Sequence, residues 1–121
     1  MTHLDHERYE ARARVMKALA HPTRLFILDR LASGRCSVAQ LTRLVGDDMS
    51  TVSKHLSVLK AAGLVTAARD GVQMNYGLCT PCVMNFFGCV EAVLRANARE
   101  QLRLAGEHSR RAVRTARKVR A

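Results

Sequence analysis

Ser50-Thr51-Val52-Ser53-Lys54-His55-Leu56-Ser57-Val58-Leu59-Lys60-Ala61-Ala62-Gly63-Leu64-Val65 is the stretch whose reading decides the fold. Val52, Leu56 and Leu59 recur at the spacing of one helical face. Ser50, Thr51, Ser53, Lys54 and His55 fall largely on the opposite side. Gly63 follows as a C-terminal stop, because it tolerates the left-handed conformation that ends many helices. The spacing therefore predicts a helix from about Ser50 to Ala62 with an apolar inner face and a polar N-terminal outer face.

Upstream, Ser37 is a suitable N-cap for a short helix bearing Val38, Leu41, Leu44 and Val45, closed by Gly46. Before it, His21-Pro22 separates two further helices. Pro disfavours helix in the residue it follows but suits the first turn of the next one. Leu25, Leu28 and Leu31 continue that second helix to Ser33-Gly34. Ala11, Val15, Ala18 and Leu19 lie on the first, over residues 5–20.

Downstream the period changes. Residues 64–69 and 72–76 read as strands around Asp70-Gly71, a favoured two-residue hairpin turn in which both positions take positive φ. Thr80-Pro81 reads as the N-cap and first turn of a long last helix reaching at least Leu104. Residues 106–121 are Arg-rich, either a helix extension or a flexible tail. The expected architecture is mostly α with a small β-hairpin. One domain spans residues 1–105 and a basic tail spans 106–121.

Two helices joined by a Gly turn and followed by a hairpin suggest a winged helix-turn-helix. In that motif the second helix presents its N-terminal polar residues to base edges in the major groove. Ser50, Thr51, Ser53, Lys54 and His55 are then the candidate readers, short or flexible groups suited to phosphates and bases. Arg69, near the wing tip, can reach a phosphate or the minor groove. An ordinary amphipathic helix would show a similar polar face, and an exposed turn arginine is common; the order of the elements is what favours DNA.

Charge agrees with a polyanionic partner. The 121-residue chain has a formal net charge of +10 and a pI near 10.5. Residues 106–121 hold six basic groups and one acidic one, so half the excess sits in the tail. That tail is suited to nonspecific phosphate contacts. With 48% hydrophobic residues the chain can bury an aliphatic core, although it has no Trp. No apolar run approaches the roughly 18 residues that span a bilayer, and the N-terminus lacks the apolar core of a secretory signal. The expected location is the cytoplasm, where cysteines stay reduced.

Ala18-Leu19-Ala20-His21-Pro22-Thr23-Arg24-Leu25, together with the 50–65 stretch, resembles the ArsR/SmtB family of metalloregulatory repressors. The resemblance covers roughly residues 10–95. It implies a homodimer joined chiefly through the first and last helices, seated on an inverted-repeat operator in double-stranded DNA and released when an effector binds. The last helix independently suits a partner: Cys82, Phe86, Cys89 and Val93 share a narrow arc, with Val83, Phe87, Val90 and Leu94 beside it. One part of this face can cover the protein's own core and the other a second copy.

Many members of that family hold metal with two cysteines in the helix before the reading helix, but this chain has Ser37 and Ala39 there. Others use His, Asp and Glu on the last helix, which here has no His before His108. What remains is Cys79, Cys82 and Cys89 around the start of the last helix, where the helix dipole favours negative charge. Three soft sulfurs without an imidazole suit a thiophilic ion, As(III) or Sb(III) above all. Seven helical residues between Cys82 and Cys89 make a rise of roughly 10.5 Å, too far for one ion on one intact helix. Either the partner subunit supplies Cys89 or the helix start unwinds.

A thiol redox or persulfide sensor could use the same cysteines, and Cys82 and Cys89 could instead be small core residues. Cys36, isolated after Gly34-Arg35, reads as a packing residue. No nucleophile elbow, phosphate loop or acid/base pair argues for an enzyme. Cys79-x-x-Cys82 alone raises a dithiol oxidoreductase, without the βαβ surroundings such a catalyst has.

Overall fold

The computed structural model describes residues 1–120. Helix α1 (His3–Leu19) opens on a capping box, in which Thr2 accepts from the Asp5 backbone and Asp5 accepts from Thr2. Helix α2 (Pro22–Ala32) is capped by His21, whose Nδ1 accepts the Thr23 backbone N–H at 3.1 Å. Strand β1 (Cys36–Ser37) leads directly into α3 (Val38–Val45). Helix α4 (Met49–Ala61) is followed by β2 (Val65–Asp70), β3 (Gln73–Leu78) and α5 (Val83–Arg120).

Two glycines set the helix-turn-helix. Gly46 closes α3 at φ +79° and donates to the Thr42 carbonyl at 3.0 Å. Gly63, at φ +80°, ends α4: its N–H bonds the Lys60 carbonyl at 3.0 Å, and the Leu64 N–H bonds that of Leu59 at 2.9 Å. Those paired bonds form a Schellman motif, which satisfies carbonyls the helix end would otherwise strand. The chain is thereby turned from α4 straight into the wing.

Helices α2, α3 and α4 pack on one another and against the sheet. Ile27, Leu28, Leu41, Val52, Leu56 and Leu59 are fully buried there, each burial stabilising by about 1.5–3 kcal/mol. The inward set of α4 is the expected one. In α2 the core falls to Ile27, Leu28 and Leu31, while Leu25 is exposed. Cys36 is buried at 1% exposure, a packing residue as its sequence context suggests.

Two expectations are corrected, the hairpin turn and the start of the last helix. The small sheet also gains a strand, and the basic segment takes one of its two expected forms. The sheet has three strands in the order β1-β3-β2, because Cys36 and Ser37 pair antiparallel with Tyr76 and Asn75 on the open edge of β3. The hairpin turn is Gly71-Val72 and not Asp70-Gly71, since Asp70 pairs with Gln73 in the ladder. Only Gly71 of the two has positive φ, +62°, the pattern of a turn with Gly at its first central position. Helix α5 begins at Val83, so Thr80, Pro81 and Cys82 precede it. Finally, α5 runs through the basic segment to Arg120 without a break at residue 105. The helix-extension alternative describes 106–120, and Ala121 lies outside the described residues. The chain divides into two compact units, Met1–Met84 and the residues from Asn85 on.

Candidate nucleic-acid interface and cysteine loop

At the start of α4 one of the free backbone donors, that of Thr51, is already engaged. Asp48 is the N-cap and accepts the Thr51 backbone N–H at 2.7 Å; the Ser50 hydroxyl donates to it at 3.2 Å. The Thr51 N–H bond, aided by the Thr51 and Ser50 side chains, holds the Asp48 carboxyl below its ordinary range. An ionised carboxylate at this cap repels phosphate. Exposed side chains such as Ser50 and Lys54, more than the capped helix N-terminus, are therefore what α4 offers an anion.

Of the five residues expected to read DNA on α4, Ser50 and Lys54 are exposed, while Thr51, Ser53 and His55 are half-buried. Ser57, not anticipated, is exposed as well and falls on the same stripe as Ser50 and Lys54 by the i, i+4, i+7 rule. That spacing was available in the sequence. Arg69 is exposed near the end of β2, opposite Met74. It shares a strand face with Val65 but lies beyond the core. Val72, at the tip of the wing, is fully exposed.

His55 has a structural engagement that no local pattern announces. Its Nδ1 accepts from Nε of Arg24 at 3.2 Å, and its ring stands 4.4 Å from that of His21, tilted by 48°. Arg24 Nη1 also donates to the carbonyls of Ala18 at 3.3 Å and Lys17 at 3.5 Å, at the end of α1. One guanidinium thus joins α1, α2 and α4. Arg stays protonated, so Nδ1 of His55 must be the acceptor and the neutral ring carries its proton on Nε2. Burial pushes the His55 pKa down, proximity to His21 and to the Arg24 guanidinium pushes it further, and Asp47 opposes them.

Cys79, Cys82 and Cys89 are all free and exposed. Cys79 and Cys82 lie on the short connection between β3 and α5, and Cys89 lies on α5 itself. The Cys79 backbone N–H donates to the Leu64 carbonyl at 2.9 Å. Leu64 in turn bonds Leu59 of α4, so the cysteine connection is two backbone hydrogen bonds from the candidate reading helix. Among the described residues of one chain, no three His, Cys, Asp or Glu side chains are grouped to hold a metal ion. No helix described is long and apolar enough to cross a membrane.

A family model described as a helix-turn-helix domain matches residues 19–67. The uncharacterized HTH-type transcriptional regulator Rv0081 of Mycobacterium tuberculosis is 36% identical over 105 residues, covering 81% of this chain and 92% of the relative. The crystal structure of M. tuberculosis Rv0081 matches with a TM-score of 0.70 at 35% identity, over 78% of this chain and 95% of that one. The solution structure of a homodimeric winged helix-turn-helix DNA-binding domain from Mycobacterium bovis, Mb0332, described as a possible ArsR-family regulator, matches with a TM-score of 0.71. Its identity is 34%, over 81% of this chain and 91% of that one. The transcriptional repressor BigR of Xylella fastidiosa matches at 31% identity and a TM-score of 0.63, over 77% and 96% of the two chains. Against one longer curated relative, the chain spans 36% of its length. These similar proteins are transcriptional regulators, not enzymes.

Proposed function

Because the chain belongs to the HTH-type transcriptional regulators, we propose that it is a cytoplasmic homodimeric repressor released from its operator by a thiophilic ion. Each protomer lays α4 in a major groove, with Ser50, Lys54 and Ser57 toward the bases and phosphates and Arg69 on the flanking wing. Thr51, Ser53 and His55 stand partly behind them. Two copies on one duplex read an inverted repeat. The homodimeric M. bovis domain supports the pairing. So do apolar residues left exposed within α5 (Phe86, Val90, Val93 and Leu94) and within α1 (Leu4, Tyr9 and Met16).

The observation that carries the effector reading is the bond from the Cys79 N–H to the Leu64 carbonyl, beside the Leu64 bond to Leu59. A ligand taken up by Cys79, Cys82 and Cys89 acts on a loop tethered to the end of the reading helix. The donor set is soft, without a nearby imidazole, and fits As(III) or Sb(III) bound as thiolates. When bound, such an ion supplies a cross-link between otherwise separate sulfurs. Since no three donors are grouped among the described residues of one chain, assembling the set requires the partner's cysteine or a rearrangement. Either requirement gives the ion a differential affinity for two states, the condition for allosteric release. A second reading, thiol oxidation or persulfide formation, is favoured by the exposure of Cys79 and Cys82 on the same short loop.

Fluorescence anisotropy of the reduced protein on DNA from upstream of its own gene, titrated with arsenite, tests the proposal. Near-stoichiometric release, abolished by replacing the three cysteines with Ser, is expected. Release that survives the triple replacement overturns the assignment. Insensitivity to arsenite with sensitivity to oxidants or persulfides selects the second reading.

A further inference from the structure

Along α5 the treatment of positive charge changes at about residue 110. Arg103 is neutralised within the helix, its guanidinium bonded at 2.6 Å to both Glu100 and Glu107. From Arg110 to Lys118 there is no acidic residue at all, while Arg110, Arg111, Arg114, Arg117 and Lys118 are all exposed. Among the described residues none of these five makes an ion pair.

At 3.6 residues per turn the five cations fall within about 120° of arc, and Arg110 and Lys118 are separated by a rise of about 12 Å. Arg110–Arg114 and Arg114–Lys118 are like-charged i, i+4 pairs, which by themselves oppose the helix. Five charges over that length approach the linear density of duplex DNA, about one per 1.7 Å of axis. A membrane is less suited. Among the described residues past Leu104 the other faces offer only Ala105, Ala112, Val113, Ala116 and Val119 as apolar groups, without the bulky residues that anchor an interfacial helix.

We propose that the Arg110–Lys118 stripe is a second DNA contact, which grips backbone phosphates of the duplex flanking the operator and relieves the self-repulsion of the helix. This rests on the regulator reading above and adds to it a sequence-independent contact outside the inverted repeat. The partner is recognised by charge alone. The stripe therefore contributes affinity and salt dependence, not a choice of bases.

The test replaces Arg110, Arg111, Arg114, Arg117 and Lys118 by Gln in the full chain, Gln being nearly as good a helix former as Arg. Far-ultraviolet circular dichroism checks that the helix is kept. Two duplexes are compared: the segment protected in footprinting upstream of the protein's own gene, and the same segment extended by about one helical turn at each end. The wild-type protein is expected to bind the extended duplex more tightly and with a steeper salt dependence. Each phosphate engaged adds about 0.9 to the slope. The variant is expected to lose the effect of length while binding the short duplex as the wild type does.

Equal slopes for the two proteins on the extended duplex overturn the proposal. So does a charge-dependent association with phosphatidylserine vesicles that leaves DNA binding unaltered by the five replacements. Failure of the wild type to bind either duplex specifically would instead overturn the regulator reading, and this proposal with it.

Discussion

Arg24 is the residue whose removal most directly tests how α4 is held. Arg24→Met keeps much of the aliphatic stem and deletes the bond to His55 Nδ1 at 3.2 Å and the bond to the Ala18 carbonyl at 3.3 Å. The contact to Lys17 at 3.5 Å is at the limit of a hydrogen bond and is left out. Bonds from a charged donor contribute about 1.5–3 kcal/mol each when well made. These two are long and half-exposed, so about 1 kcal/mol each, or about 2 kcal/mol together, is the expected loss. With a urea m-value of about 2 kcal/mol/M, the midpoint falls by about 1 M. A cycle with His55→Phe, which keeps a ring beside His21, should return a coupling of about 1 kcal/mol between positions 24 and 55.

The pH dependence has a definite sign. The folded pKa of His55 lies below its ordinary 6.5, chiefly through burial and then through the nearby His21 and Arg24. Its stabilising contribution is therefore present above pH 6.5 and is lost as pH falls from there through the folded value. Without Arg24 one cause of the depression is gone, so the variant should lose less additional stability than the wild type between pH 7.5 and 5.5. An unchanged urea midpoint, a zero coupling or an identical pH slope would refute the account of Arg24 as the link between the helices.

Two further outcomes are expected. Gly63→Ala and Gly88→Ala should act with opposite signs, although a Cβ meets nothing within 4 Å at either site. At φ +80° the first costs about 1–2 kcal/mol, whereas the second, inside α5, stabilises the helix by about 0.8–1 kcal/mol; thermal melts read both. Lys54→Gln should weaken operator binding, and titrations at several salt concentrations show how. A fall of about 0.9 in the salt slope with uniform loss across sequences identifies a phosphate contact, and a loss confined to the cognate sequence identifies a base contact.

What the sequence displayed well was local. Gly46 and Gly63 mark the ends of two helices because a positive φ is a property of one residue, and Val52, Leu56 and Leu59 mark an inner face because helical period is a property of a few. The two-residue strand β1 has no period to display; it exists because the edge of β3 offers Cys36 and Ser37 a partner. The hairpin was visible but its turn was misplaced by one, since register is decided by the Asp70–Gln73 pairing and not by the dipeptide at the tip. The basic segment was set apart on its charge. Its Arg and Ala residues are good helix formers, and after Gly106 no Gly or Pro interrupts them.

The candidate site follows the same division. Lys54 and the cysteines were legible as residue types, whereas the bond of Arg24 to His55 joins positions 31 apart and needed the fold. The tether from Cys79 to α4 uses only the backbone of Leu64 and Leu59. Any side chain at position 79 other than Pro could keep that N–H. The backbone link is thus independent of the side chain at position 79. On the proposed reading, the coupling to thiol chemistry resides in Cys79, Cys82 and Cys89, residue types that the sequence displays. Replacing those cysteines should therefore abolish the response while leaving intact the path by which another ligand at this loop could act.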